Sequence, residues 1–147
     1  MASEDPGEAA PEAYRLEEQV GFVLRLAAQR HAAIFQAQSL MKLTPTQFSA
    51  LIRIAEEGEC SQNRLGRLTA MDAATIKGVI DRLREKALVA LKRDSGDKRR
   101  MMIALTPKAA AMIPQLHAAG HAITGATLAP LSAKERARLL KLLKKIA

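Results

Sequence analysis

Residues 75–107, "TIKGVIDRLREKALVALKRDSGDKRRMMIALTP", decide how this chain is read. Ile76, Val79, Ile80 and Leu83 recur at the 3.6-residue period of a helix with one buried face. Asp72, just upstream, has the short acceptor side chain that caps such a helix. Two apolar runs follow, Leu88–Leu91 and Met101–Leu105, joined by a loop that crowds lysine and arginine around Ser95-Gly96. Short apolar runs about a Ser-Gly turn predict a β-hairpin with a cationic tip. Immediately before, "SQNRLGRLT" (residues 61–69) predicts a second short helix capped by Ser61. Two short helices joined by a tight turn form a helix-turn-helix, and a basic hairpin behind them makes it a winged helix.

That arrangement assigns roles to residues. The second helix can enter a DNA major groove, which is wide enough to admit one. Its outward positions are Ala74, Thr75, Lys77, Gly78 and Arg82. Small Ala74 and Gly78 let the backbone approach, while Thr75, Lys77 and the wing's Arg99 are candidates for base or groove contacts, with Asn63 from the first helix. Arg64, Arg67, Arg82 and Lys98 are candidates for phosphate, beside the cap Ser61. Arginine suits the narrow, strongly negative minor groove. Asp97 would repel phosphate directly, so it is read as holding a guanidinium by a charge-assisted hydrogen bond. The bland alternative for the second helix is a solvated surface with scattered charges.

The flanking sequence is helical. "LTPTQF" (residues 43–48) opens a helix with Thr44 as cap, Pro45 in the first turn and Gln47 closing a capping box. Gly58 ends it. Before it, about Glu12 to Met41 predicts one long helix, with Leu16, Val20, Val23, Leu24, Ala27, Ile34 and Phe35 on one face and Phe22, Leu26 and Ala33 on another. A helix apolar on two sides calls for two neighbours, one of them a partner subunit. After the hairpin, Thr106-Pro107 starts a long helix that Pro114, Gly120 and Gly125 could bend, and Ser132 with Glu135 boxes the start of a last one. The expected class is mainly α with a small β-hairpin wing: a disordered acidic tail (1–11), an N-terminal dimerisation helix (12–43), a winged helix-turn-helix domain (44–106) and C-terminal dimerisation helices (107–147).

Charge agrees with a polyanion as partner. Residues 1–18 hold six acids and one base, leaving 22 basic and 9 acidic residues, a net +13, in the remainder. No apolar run approaches the roughly 18 residues of a membrane span, and one cysteine permits no internal disulfide, so a cytoplasmic protein is expected.

The same residues resemble the MarR regulators of bacteria over about Glu12 to Ala147. The family's wing reads Asp-x-Arg with Leu-Thr closing the second strand, matched by Asp97, Arg99 and Leu105-Thr106. Lys98 stands where Arg is frequent, Ala87 replaces a usual Gly after the recognition helix, and Leu91 replaces a common Arg. The resemblance implies a homodimer with interleaved terminal helices. It also implies binding to a pseudo-palindromic promoter site on double-stranded DNA, usually as a repressor released by a small effector. "LRLAAQRHAAIF" (residues 24–35) looks like members that control degradation of aromatic acids, including hydroxycinnamate and nicotinate routes, and so suggests an aromatic carboxylate.

The candidate effector residues are His31, centred on the first helix's apolar face, with Gln38 on the same face, Phe35 and Phe48 as walls, and Arg25 or Arg30 as counter-charge. His31 reads equally as a core histidine satisfied by a neighbour. Cys60 is read as a buried thiol rather than a redox sensor. His117 and His121 have i, i+4 spacing but no third ligand nearby, so no metal or other cofactor is expected. No nucleophile elbow or P-loop is present, which argues against an enzyme. Two rival readings stay open: a nonspecific nucleic-acid-compacting protein, and a winged-helix protein-interaction module.

Overall fold

The computed structural model describes residues 12–38 and 40–147. A 3-10 turn (Leu16–Glu18) precedes α1 (Val20–Ala37) and α2 (Pro45–Glu57). Then come β1 (Glu59–Ser61), α3 (Gln62–Leu68), α4 (Ala73–Glu85), β2 (Val89–Arg93), β3 (Met101–Leu105), α5 (Pro107–Thr127) and α6 (Ala133–Ile146). The acidic segment 1–11, expected to be disordered, lies outside the described residues.

The five capped helix starts read from the sequence are the ones observed. Thr44 and Gln47 form a reciprocal capping box, as do Ser132 and Glu135. Ser61, Asp72 and Thr106 each accept the third backbone N–H of their helix. At Asp72, the Thr75 N–H and hydroxyl also hold the carboxyl below its ordinary value, because both favour the charged acceptor.

Three expectations are corrected. The long first helix is interrupted: Gln19 is extended (φ −87°, ψ 131°), and the α-helix ends at Ala37 instead of Met41. Met41 and Lys42 both have left-handed backbone (φ 48° and 59°), which no right-handed helix can include. The sheet has three strands in the order β1-β3-β2, since Glu59–Ser61 pairs antiparallel with Met102–Ala104. β2 starts at Val89 because the Leu88 N–H is already donated to the Leu83 carbonyl; it runs on to Arg93, leaving only 94–100 as the wing loop. The helix α5 runs from Pro107 to Thr127 with Pro114, Gly120 and Gly125 inside it.

Burial shows where folding free energy resides. Leu51, Ile54, Leu65, Ile76, Ile80, Leu83, Leu88, Ile103 and Leu116 are buried almost completely, and all but Leu116 belong to the winged-helix segment. Each such side chain is worth about 1.5–3 kcal/mol of burial. Gly66 lets α3 meet the following turn: a Cβ there would lie 3.1 Å from the Met71 carbonyl oxygen and 3.4 Å from Ile76 Cγ2. By contrast α6 buries no residue and α1 buries only Phe35. The terminal helices therefore present apolar surface outward, with Val20 66% and Ile146 67% exposed.

The end of α4 is a Schellman motif. The Ala87 N–H donates to the Arg84 carbonyl and the Leu88 N–H to Leu83, both at 2.9 Å. Ala87 therefore takes the left-handed position (φ 57°) that glycine normally fills. A left-handed L-residue costs about 1–2 kcal/mol, partly offset by glycine's greater freedom when unfolded. Ala87→Gly is thus expected to stabilise the fold by about 0.5–1 kcal/mol. Thermal unfolding checks this; an unchanged or lower midpoint would show that the turn is not strained.

Candidate nucleic-acid interface

One side of α4 is buried and the other is open to solvent. Ile76, Val79, Ile80 and Leu83 point inward, which leaves Ala74, Thr75, Lys77, Gly78 and Arg82 exposed along the other side of α4. A Cβ on Gly78 would meet nothing within 4 Å, so the helix backbone is open to close approach there. Asn63 and Arg67 of α3 line a shallow groove of about 220 Å³ together with Ala73 and Ile76 of α4. The two helices thus share one groove.

Several of its cations are already held by carboxylates. Arg64 Nε lies 3.0 Å from Glu57 Oε2, and Lys77 Nζ lies 3.0 Å from Asp81 Oδ2. Such exposed pairs add little stability, about 0.2–1 kcal/mol, but they fix where the charge sits. Arg67 and Arg82 are exposed and carry no ion pair among the described residues.

The wing loop is ordered by its own backbone. The Asp94 N–H donates to the Arg100 carbonyl (2.9 Å), the Arg100 N–H to Asp97 (3.0 Å), and the Gly96 N–H to Asp94 Oδ1 (3.1 Å). Asp97 Oδ1 accepts the Arg99 backbone N–H at 3.0 Å, with Arg99 Nε farther off at 3.5 Å. Asp97 therefore acts first on the main chain and only loosely on the guanidinium expected from the sequence. The Arg99 side chain is 94% exposed, aimed into solvent, and Lys98 beside it is exposed too.

Two supports escaped sequence reading. Arg93 Nη1 donates to the Lys98 carbonyl at 3.4 Å, and Lys92 pairs with Glu59 across the sheet. The second could not be foreseen without β1. Exposed Arg84 and Arg100 are further bases on these segments.

The expected effector residues are only partly gathered. The Phe35 and Phe48 rings meet edge to face, centroids 5.7 Å apart at 82°. Phe35 lines a cavity of about 480 Å³ with Ala32, Leu40, Lys42, Leu43 and Pro45. Phe48 lines another of about 450 Å³ with Ser49, Ile52, Arg53, Leu68 and Thr69. Half-buried His31 turns to α5, its Nδ1 2.8 Å from Thr127 Oγ1. Arg30 is committed to the same helix end, donating to the Thr127 carbonyl at 2.5 Å and the Ala126 carbonyl at 3.0 Å. Arg25 stacks on Phe22, 5.6 Å from the ring centre, and Gln38 is exposed at the end of α1.

Cys60 lies in β1, 1% exposed, and burial pushes its thiol above the ordinary value, with nearby Glu57 adding to the effect and Arg64 opposing it. That keeps the thiolate scarce, against a sensor role. Among the described residues no three metal-ligating side chains cluster, and no helix is long and apolar enough to cross a membrane.

A helix pair with an open outer face, beside a hairpin that thrusts an arginine into solvent, defines a winged helix-turn-helix DNA-binding protein. A sequence profile of the MarR family matches residues 42–100. The chain is 40% identical over 134 residues, 90% of this chain and 85% of the other, to the transcriptional repressor NicR of Pseudomonas putida. Among solved structures it is similar to a probable transcriptional regulator of Pseudomonas aeruginosa, with TM-score 0.87, 47% identity, and coverage of 90% of this chain and 100% of that one. It is also similar to BpsR of Bordetella bronchiseptica, whose DNA binding is regulated by 6-hydroxynicotinic acid, with TM-score 0.86, 38% identity, and coverage of 92% and 97%. The chain belongs to the MarR family: it is a transcriptional regulator, not an enzyme.

Proposed function

We propose that this protein is a cytoplasmic repressor that binds a pseudo-palindromic promoter site as a homodimer and is released by an aromatic carboxylic acid. The observation that carries the DNA half is the Arg99 side chain, 94% exposed on the wing, together with the open face of α4. The exposed apolar surfaces of α1 and α6 support the dimer, since surface of that kind is covered in working proteins. Two-fold symmetry then sets the recognition helices about 34–36 Å apart, one groove turn.

The ligand half rests on the cavities flanking the Phe35–Phe48 pair and on the effector named for BpsR. Phe35 and Phe48 offer aromatic walls, and His31 keeps Nε2 free of partners among the described residues. Gln38 stands one turn beyond Phe35. Arg25 sits about 15 Å up the helix axis from Phe35 and would have to leave Phe22 to reach a ligand. Release requires that the acid bind better to a dimer whose helices no longer match the grooves.

One titration tests both halves. Gel shifts on a duplex selected by the protein from a random library, against unrelated competitor DNA, should show a preference of roughly a thousandfold or more. A packing protein would show almost none. Adding 6-hydroxynicotinic acid and a panel of other aromatic acids should free the duplex, and His31→Ala should need about tenfold more acid for the same release. Equal release by both proteins would remove His31 from the site.

A further inference from the structure

The ammonium of Lys86, the C-cap residue of α4, leaves its own helix and bonds to a segment 44 residues earlier. Nζ donates to the Lys42 carbonyl and to Gln47 Oε1, both at 2.9 Å. Gln47 is 8% exposed, and the same oxygen accepts the Thr44 N–H at 3.3 Å, closing the α2 capping box. One cation therefore joins the end of α4 to the junction between α1 and α2.

That junction holds two of the four non-glycine residues with left-handed backbone among the described residues. Met41 and Lys42 occupy the left-handed region in succession, and neither is glycine. Such a conformation persists only where its surroundings hold it. Buried Leu43, whose N–H donates to the Leu40 carbonyl at 2.8 Å, holds one side, and Lys86 holds the Lys42 carbonyl. Leu40, Lys42, Leu43, Thr44 and Pro45 also line the cavity of about 480 Å³. The residue whose carbonyl receives the Lys86 hydrogen bond is therefore also one that lines the cavity.

We propose that Lys86 is a positioning residue that ties the recognition helix to the α1–α2 junction, so that a change in the cavity wall moves the DNA-reading helix. The proposal rests on α4 as the recognition helix. Lys86 itself touches neither base nor phosphate: its ammonium is spent on two oxygens inside the protein. A groove-binding helix has to be held within roughly 0.5 Å of its working placement.

The test uses the full chain and Lys86→Met, which keeps the apolar stem and removes the donor. Hydrogen exchange read by mass spectrometry should speed up about tenfold in peptides spanning residues 40–48 and 83–88, and remain unchanged around Leu51 and Ile54. Affinity for the selected duplex should fall about fivefold with an unchanged slope against salt, and affinity for unrelated DNA should stay within about twofold. Lys86→Arg, which can still donate to both oxygens, should restore both readouts. Gln47→Met, which also opens the α2 capping box, should reproduce the faster exchange at 83–88, and there its effect should not add to that of Lys86→Met. It also supplies the test if Lys86→Met fails to fold.

Unchanged exchange in the variants would overturn the proposal, as would faster exchange with wild-type affinity. A salt slope reduced by about one, with equal losses on both duplexes, would mean that Lys86 contacts phosphate instead. Should the wild-type protein select no duplex, the reading of α4 fails by itself, and hydrogen exchange still decides whether the tie exists.

Discussion

Arg99→Ala is expected to weaken binding to the selected duplex about tenfold or more while the protein stays folded. The guanidinium is 94% exposed and its contact with Asp97 is a loose 3.5 Å, so its removal costs the fold almost nothing. The hydrogen bond that shapes the loop survives, because Asp97 Oδ1 accepts the backbone N–H of residue 99, which alanine retains. Whatever affinity disappears was therefore made with DNA. Arg99→Lys separates charge from shape: the ammonium keeps the attraction to phosphate but lacks the flat, multi-donor fork that fits a narrow groove. It should recover only part of the loss. Unchanged affinity for Arg99→Ala in a gel-shift titration, with an unchanged melting profile, would remove the wing from the interface.

A larger effect is expected from Val23→Glu combined with Leu140→Glu. Both residues are exposed on the single chain, 48% and 45%, on helices that add little or nothing to the winged-helix core. If α1 and α6 meet a second copy, four carboxylates enter one apolar interface, each costing several kcal/mol unless it finds a partner. Light scattering should then report a single subunit. Operator affinity should fall by about a hundredfold or more, because the second half-site is no longer held at high effective concentration. The winged-helix segment should remain helical by circular dichroism, since its core is untouched. A variant that stays dimeric would show that these faces are not the interface, and a monomer with undiminished affinity would show that one copy suffices.

The winged helix could be read from sequence because each of its parts leaves a local signature. Ser61, Thr44, Asp72, Thr106 and Ser132 each cap the helix they were expected to cap, since a short acceptor side chain works within three residues of itself. The spacing of Ile76, Val79, Ile80 and Leu83 likewise identifies the face of α4 that packs and, by exclusion, the face left open to solvent. β1 left no such mark. Three residues are too few to show a period, and Glu59–Ser61 is a strand only because β3 offers it partners 41 or more residues later. The end of α1 was misread for a related reason: the apolar pattern continues toward Met41, but the left-handed pair at Met41 and Lys42 is stabilised by distant Lys86.

The effector residues were the least legible. His31 and Phe35 do share a face of α1, yet His31 turns to the α5 terminus and Arg30 spends its charge there. Periodicity shows which side of a helix faces inward; it does not say which neighbour each side chain meets. Lys42 on a cavity wall and Lys86 behind it gave no signal, because a lysine near a helix end ordinarily reads as solvated surface.

The carboxylates beside Arg64 and Lys77 bear on how such a protein travels along a chromosome. On arbitrary sequence each cation must give up a carboxylate to take a phosphate, so the exchange gains little and every stop is brief. Only where several such exchanges occur together, in register with the groove, does the protein linger. If Arg64 and Lys77 meet phosphate, the acidic neighbours would shorten the dwell at wrong addresses and quicken the search for the right one.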